Sequence, residues 1–291
     1  MYRNKISVII ILYFSKHLLP DIIDNVQQII KGLGEIILVN NSGENIDEFQ
    51  SDIVSIIYPN ENLGYGAGIN LGVKYSKYEF LLILNPDLHI EKFEISLTNF
   101  KNEIITSGHN PTMQGYSLKF PSLFSTFIAN ALTELIYVKS IEKIIHFRRA
   151  NSNMEETRVD YISGALIFLN QTTFKKIGGF DDSFFLFYEE TDFCKRASKL
   201  NIPVVCTSKI VYKIKMGKSS ARDVSNIKIK SGIESSKRYH YKYNGPMATQ
   251  LTFTVLKLYF TVIILILFPI SFISKKFKLK LNQFIYRMKF F

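Results

Sequence analysis

Residues 6–13 read ISVIIILY, a run whose only polar side chains are Ser7 and the terminal Tyr13. A strand that is apolar at consecutive positions is buried on both faces, so it belongs in a sheet with helices on either side. The neighbouring sequence agrees. Residues 18–31 (LLPDIIDNVQQIIK) place Leu18, Ile22, Val26 and Ile30 at intervals of four, a helical stripe that Gly32 and Gly34 bring to an end. EIILV at 35–39 is a second strand, leading into the polar turn NNSGEN, and IVSIIY at 53–58 is a third. A helix is expected from near Ala67 to about Ser76. FLLIL at 80–84 is a fourth strand and ends in Asn85-Pro86-Asp87. Apolar strands alternating with helices indicate an α/β fold, Rossmann-like, with a mostly parallel twisted sheet and flanking helices. Ligands in such sheets bind beyond the carboxyl ends of the strands, where the turns after the second and fourth strands lie.

Farther along, residues 91–157 mix helical and irregular signals and read as a variable excursion. A strand returns at 161–169 (YISGALIFL). GGFDDSFFLFYEETDFCKRASKL then leads into a helix starting near Glu190, with Phe193, Ala197 and Leu200 on its buried face. PVVC at 203–206 and IVYKI at 210–214 look like late strands. With 47% hydrophobic and 21% charged residues among 291, the chain is neither disordered nor collagen-like, and two cysteines make no disulfide framework. The N-terminal MYRNK and its apolar run mimic a signal peptide, but SKHLLPD follows with no small-residue cleavage site, so a buried first strand is expected.

The net charge of +11 lies almost wholly in the last third. Residues 209–242 hold ten basic side chains against Asp223 and Glu234, and residues 274–291 hold six with no acid. Between them, from Met247 to Ile273, the chain is mostly apolar, and its uninterrupted core Leu258–Ile273 includes Pro269. That core is short of the roughly 20 residues a span needs. A single span would also place six positive charges away from the cytosol, against the positive-inside tendency. A peripheral or re-entrant segment on an anionic membrane surface is expected instead. Nucleic acid is not an expected partner, because no RNP-type or zinc-finger pattern accompanies the charge. Residues 1–245 and 246–291 are the expected domain and membrane-associated segment.

Three features could carry chemistry. NENLGYGAGINLG (60–72) sets Gly64, Gly66, Gly68 and Gly72 before a helix, which suits close backbone approach to a ligand or simply a tight connection. Asp87, at the end of a strand, could hold a divalent cation that neutralises a diphosphate, or could belong to an ordinary Asn-Pro-Asp turn. Glu189, Glu190 and Asp192 open a helix whose dipole would keep them ionised, and an ionised carboxylate can take a proton from a sugar hydroxyl. Acidic enrichment in a first turn is the plain alternative. The five histidines show no metal-ligand spacing.

Taken in order, these strings resemble the inverting GT-A glycosyltransferases of family 2, particularly the rhamnosyltransferase-like branch, over roughly residues 5–245. SVIIILYF, EIILVNNS, NENLGYGAGINLG, LLILNPD, YISGALIFL and FPSL (120–123) carry the likeness, and GGFDDSFFLFYEETDFCKR is its most specific part. The resemblance implies that Asn40 and Asn41 contact the nucleotide base, that Asn62, Gly64 and Asn70 belong to the loop over the nucleotide-sugar, and that Asp87 binds the metal, Mg2+ or Mn2+. Gly164 and Ala165 would line the acceptor side. Glu190 stands where the family has its general base, and Asp192 is the next carboxylate. Three positions depart from the family pattern: Asn40 replaces an Asp, Glu190 replaces an Asp, and Lys213 stands near a position that is often His. The lysine could neutralise diphosphate directly.

The implied reaction is transfer of a sugar, rhamnose first, from a dTDP- or UDP-sugar to a lipid-linked oligosaccharide in surface polysaccharide biosynthesis. Its implied place is the cytoplasmic face of the inner membrane. A catalytically inactive sugar-binding or scaffold protein of the same fold is the competing reading.

Overall fold

A computed structural model describes residues 5–100, 103–110, 117–132, 147–148, 155–215, 222–271 and 275–291. The chain divides into two units, Met1–Lys119 with Arg148–Ser220, and Phe120–Phe147 with Ala221–Phe291. The second unit therefore takes in residues 120–147 and begins its C-terminal part at 221, where the sequence suggested a boundary at 245.

The first unit is built on a sheet with nine strands among the described residues. Strands β1 (Ile6–Leu12), β2 (Gly34–Asn40), β3 (Val54–Ile57) and β4 (Phe80–Leu84) run parallel in the order β3-β2-β1-β4. β1, β2 and β4 are buried along their whole lengths, as largely apolar strands require, and the buried Ser7 and Glu35 hydrogen-bond each other (2.7 Å). Helix α1 (Leu19–Ile30) packs Leu19, Ile22, Val26 and Ile30 into the core, and α2 (Tyr65–Tyr75) starts two residues earlier than its sequence suggests.

Beyond β4 the sheet stops being parallel. The later strands are β5 (Leu88–Phe93), β6 (Ile105–His109), β9 (Glu156–Arg158), β10 (Leu166–Asn170) and β11 (Val204–Ile214), while β7 (Ser117–Leu118) and β8 (Phe147–Arg148) pair separately. β10 runs antiparallel between β4 and β6, and β11 runs parallel to β6 but antiparallel to β5 and β9. Two expected late strands are thus one strand, bulged near Val211. Residues 162–165 precede β10 as irregular chain, although the Asn85 N–H still donates to the Ala165 carbonyl. The excursion at 91–157 supplies much of the edge strand β5, tied to α1 by two hydrogen bonds between the Asn25 amide and the Ile90 backbone. Helices α4 (Gln171–Ile177) and α5 (Glu189–Lys199) complete this unit.

The second unit is helical. It comprises α3 (Leu123–Leu132), α6 (Arg222–Asn244), α7 (Pro246–Ser271) and α8 (Lys275–Met288). FPSL proves to be the entry to α3, where Ser122 and Ser125 exchange side-chain-to-backbone hydrogen bonds. His240 is buried between Thr126 (2.7 Å) and Asn244 (2.8 Å), a packing histidine. His146 lies outside the described residues. α7 is one continuous helix through Pro269. By length and composition, Pro246–Ile266 is long and apolar enough to cross a bilayer, with a mean hydropathy of 1.7.

Candidate active site

The Asn-Pro-Asp turn leaves β4 and is fastened on both sides. The Asn85 N–H donates to the Ala165 carbonyl (3.0 Å), and the Lys215 N–H donates to the Asp87 carbonyl (2.8 Å). The Asp87 side chain is half-buried, within reach of solvent. Because Asn85 binds Ala165, the turn sits beside the Ser163-Gly164-Ala165 segment. Gly164 is in turn the meeting point of two other elements. Its carbonyl accepts the Tyr65 hydroxyl (2.6 Å). A Cβ placed on Gly164 would stand 3.3 Å from the Tyr65 ring and 3.9 Å from both Cβ and Cδ of Glu190. The absence of a side chain there leaves the Glu190 carboxyl a clear approach.

Tyr65 makes the grouping explicit. Burial first, and then the negative charges of Glu189, Glu190 and Asp87, push its phenol well above the ordinary tyrosine value. Asp87 and the acidic cluster, a hundred positions apart in sequence, surround one side chain.

The two glutamates do not behave as the helix dipole alone suggests. Burial raises Glu190 from the usual carboxylate range to about 7. Glu189 is only 3% exposed, its Oε2 finds no hydrogen-bond partner among the described residues, and burial together with the charge of Glu190 lifts it well above its usual value. A helix N-terminus favours an anion by roughly 0.3–1 kcal/mol. Raising a carboxyl from 4.5 to about 7 corresponds to roughly 3 kcal/mol, so desolvation wins. The expectation of fully ionised glutamates is corrected accordingly. The chain reaches this position through Phe187 and Tyr188, both left-handed (φ +69° and +67°), a conformation that costs roughly 1–2 kcal/mol at each non-glycine residue. The turn they make starts α5 with both glutamates toward Gly164 and Gly66.

Gly64 takes φ +79°, and a Cβ on it would fall 2.2 Å from the Phe185 carbonyl oxygen. Asn62 accepts a hydrogen bond from the Gly64 N–H (2.9 Å), Asn41 donates to the Gly64 carbonyl (2.9 Å), and Tyr65 N–H donates to Phe185 (2.9 Å). Among the described residues the buried Asn41 Oδ1 has no partner. Asn41, Asn62 and Gly64 thus gather at the start of α2, close to the segment that carries the glutamates.

Other expected site residues have different work. Asn40 spends its side chain on the local turn, accepting from Ser42 and donating to the Glu44 carbonyl. Asn70 holds both backbone groups of Phe180 and also reaches Asp182, so it ties α2 to the Gly-Gly-Phe turn instead of closing over a nucleotide. Asp192 is fully buried and paired with Arg196 (2.8 Å), whose other nitrogens donate to the carbonyls of Ile177 and Gly179 (2.6 Å each). A carboxylate held this way braces α5 and is not placed to take a proton from an acceptor. Lys213 pairs with Glu91 across the β11–β5 ladder, so a carboxylate already meets part of its charge. The segment after Lys215 lies outside the described residues. The two cysteines are pushed up to about 12 (Cys194) and about 11 (Cys206) by burial, so neither is a nucleophile. Sequence reasoning missed Tyr65; its signal was a large aromatic set between two glycines.

Among the described residues no group of three or more His, Cys, Asp or Glu side chains could hold a metal. A single accessible carboxylate still suits Mg2+ or Mn2+, since such a cation can bind through one or two carboxylates and complete its shell with substrate phosphates and water.

With this geometry the molecule can be set beside known proteins. Superposition on GalNAc-T7 bound to UDP, GalNAc and Mn2+ gives a TM-score of 0.53 at 9% identity, covering 80% of this chain and 51% of that one. The fold is GT-A. Residues 7–96, from β1 through β5, match the profile of Glycosyl transferase family 2. The low-salt glycan biosynthesis hexosyltransferase Agl10 of Haloferax volcanii is 30% identical over 211 residues, 69% of this chain and 64% of that protein. The rhamnosyltransferase WbbL of Escherichia coli K12 is 26% identical over 152 residues, 46% of this chain and 54% of that one. The GT-A chain thus spans a little under two thirds of the first relative and about half of the second. Together these likenesses support a family 2 glycosyltransferase, and they do so more firmly than they support a rhamnosyl branch.

Proposed function

We propose that this chain is an inverting glycosyltransferase that moves a sugar from a nucleotide-diphosphate donor to a lipid-linked oligosaccharide at the cytoplasmic face of the plasma membrane. The observation that carries the reading is that the charges of Asp87, Glu189 and Glu190 all act on Tyr65, with Glu190 beside Gly164 and Glu189 beside Gly66. Rhamnose on dTDP or UDP is the first donor to test, on the strength of the likeness to the rhamnosyltransferase. The likeness to the hexosyltransferase keeps UDP-hexoses in the panel.

Glu190 acts as the general base. Poised near neutrality, it takes the proton of an acceptor hydroxyl as that oxygen bonds to the anomeric carbon. The anomeric bond to the diphosphate oxygen breaks on the opposite face, and its electron pair leaves with the nucleotide. Asp87 would hold Mg2+ or Mn2+, which when bound neutralises charge on the diphosphate. Asn41 and Asn62 hold the Gly64 backbone at the start of α2, where the nucleotide would lie against the loop. Tyr65 fixes the Gly164 carbonyl and so holds the acceptor side open.

Incubating the purified chain with a panel of nucleotide-sugars, Mg2+ or Mn2+ and a lipid-linked acceptor, and measuring nucleotide release, tests the proposal. Acceptor-dependent release that Asp87→Asn and Glu190→Gln each reduce about a hundredfold or more is expected. Sugar binding without turnover on any donor would favour the inactive scaffold.

A further inference from the structure

We propose that the outward face of α7 is a lipid-docking surface that lies in the plane of an anionic phospholipid bilayer. This goes beyond the transferase reading and stands whether or not transfer is detected.

The helix has two apolar faces. Phe253, Leu256, Phe260 and Ile263 form the inner one, packed with Ile233 of α6 and Phe284 of α8. Met247, Leu251, Val255, Leu258, Val262 and Leu265 form the outer one at spacings of three and four, which is a single stripe on a helix. Leu251, Leu258 and Leu265 leave 66%, 61% and 69% of their surface open. A helix that buries one face in a soluble protein turns polar groups to water on the other. Here Lys257 is the only charged residue from Pro246 to Ser271.

Charge decides what covers the stripe. The packed neighbours α6 and α8 carry Lys228, Lys230, Lys237, Lys278 and Arg287 among their basic residues, against Asp223 and Glu234 as the only acids after residue 220. An apolar face on a helical unit whose described helices carry this basic excess suits acyl chains beneath anionic headgroups. A second copy of the chain would instead bring two like-charged surfaces together.

Packing decides the orientation. Over its apolar window α7 is 21 residues long, roughly 31 Å, against about 30 Å of hydrocarbon core. Alone it could span. Its neighbours prevent that. The chain of α8 runs back beside it, with Phe284 near Phe260 (centroids 5.4 Å), Phe291 near Phe260 (5.1 Å) and Phe253 (6.1 Å), and the Thr261 hydroxyl 3.3 Å from the Met288 sulfur. Lys237 of α6 reaches across the Phe253 ring and donates to the Phe290 and Phe291 carbonyls. A spanning α7 would carry Lys237, Arg287 and Lys289 into the hydrocarbon, which charged side chains strongly oppose. Lying flat buries the stripe and leaves those charges at headgroup level.

The chain has no tryptophan, so Leu258→Trp is a reporter without background. The full-length variant is titrated with vesicles of phosphatidylglycerol and phosphatidylcholine. A blue-shifted emission is expected, with quenching strongest for lipids brominated high on the acyl chain, as for a depth of about 5–10 Å. Partitioning should fall about tenfold or more on pure phosphatidylcholine, and co-sedimentation with vesicles should show the same fall when Leu251, Leu258 and Leu265 of the tryptophan-free chain are all changed to Glu. Circular dichroism verifies that this triple variant folds, and the Leu258→Trp measurement does not depend on it. Emission indifferent to vesicles, quenching strongest by bromines near the bilayer centre, a folded triple variant that still binds, or a dimer in sedimentation that hides position 258 from lipid would each overturn the proposal.

Discussion

Replacing Glu190 with Gln keeps the shape of the side chain and removes its ability to accept a proton. Its carboxyl sits at about 7 because burial outweighs its backbone hydrogen bond. With that value it is roughly 10% ionised at pH 6 and roughly 90% at pH 8, so a base-limited rate climbs about tenfold between the two. Removing the base should cost about 100- to 10,000-fold in kcat and leave the KM for donor nearly unchanged. A second consequence concerns stability. The folded-state value lies above the ordinary 4.5, so between 4.5 and 7 the folded protein holds a proton that the unfolded chain has released. Stability therefore falls as pH rises through that window, by roughly 3 kcal/mol in all. The Gln variant lacks this loss and should be the more stable protein at pH 8, by up to that amount, and no more stable at pH 4.5. Initial rates of nucleotide release from pH 4 to 8.5, with urea unfolding at pH 4.5 and 8, give both numbers. A rate profile with its rise near pH 4.5, or a Gln variant that keeps more than about a tenth of wild-type kcat, would refute the base assignment. Parallel stability curves for the two proteins would refute the burial argument.

Three further outcomes follow from the same geometry. Arg196→Leu leaves the buried Asp192 carboxylate without its guanidinium and frees two carbonyls, so a loss of about 3–5 kcal/mol in urea unfolding is expected. Lys213→Ala removes a half-exposed surface pair with Glu91 and should change stability by about 1 kcal/mol or less, with the KM for donor unaltered; a rise of about tenfold in that KM would restore the diphosphate role. Chelation with EDTA should abolish release, and added Mg2+ or Mn2+ should restore it, with Asp87→Asn shifting the metal concentration for half-maximal rate upward about tenfold or more.

The division between what could be read from the chain and what could not is sharpest at α5. The acidic start of that helix is visible in sequence, and so is its likeness to a transferase motif. Which carboxylate does what is not visible. Asp192 is neutralised by Arg196 one turn away, yet Arg196 matters because it also grips Ile177 and Gly179, which only the folded chain places there. Asn70 shows the same limit: its partners Phe180 and Asp182 lie more than a hundred residues on.

The sequence by itself determined β1, β2 and β4 of the parallel half of the sheet, because strand burial on both faces leaves a local mark, a largely apolar run; β3, half-buried, was legible from its β-branched residues. It also determined the presence of Gly64 before α2, of Asp87 just beyond β4, and the apolar, basic character of the last third. Tertiary structure alone decided that β10 enters antiparallel, that Glu190 is half-neutral at neutrality, and that α7 shows one apolar face to its neighbours and another to the outside. The reason is physical. Propensity and patterning act over a few residues, whereas desolvation, pairing and exposure are set by whichever distant segments arrive alongside.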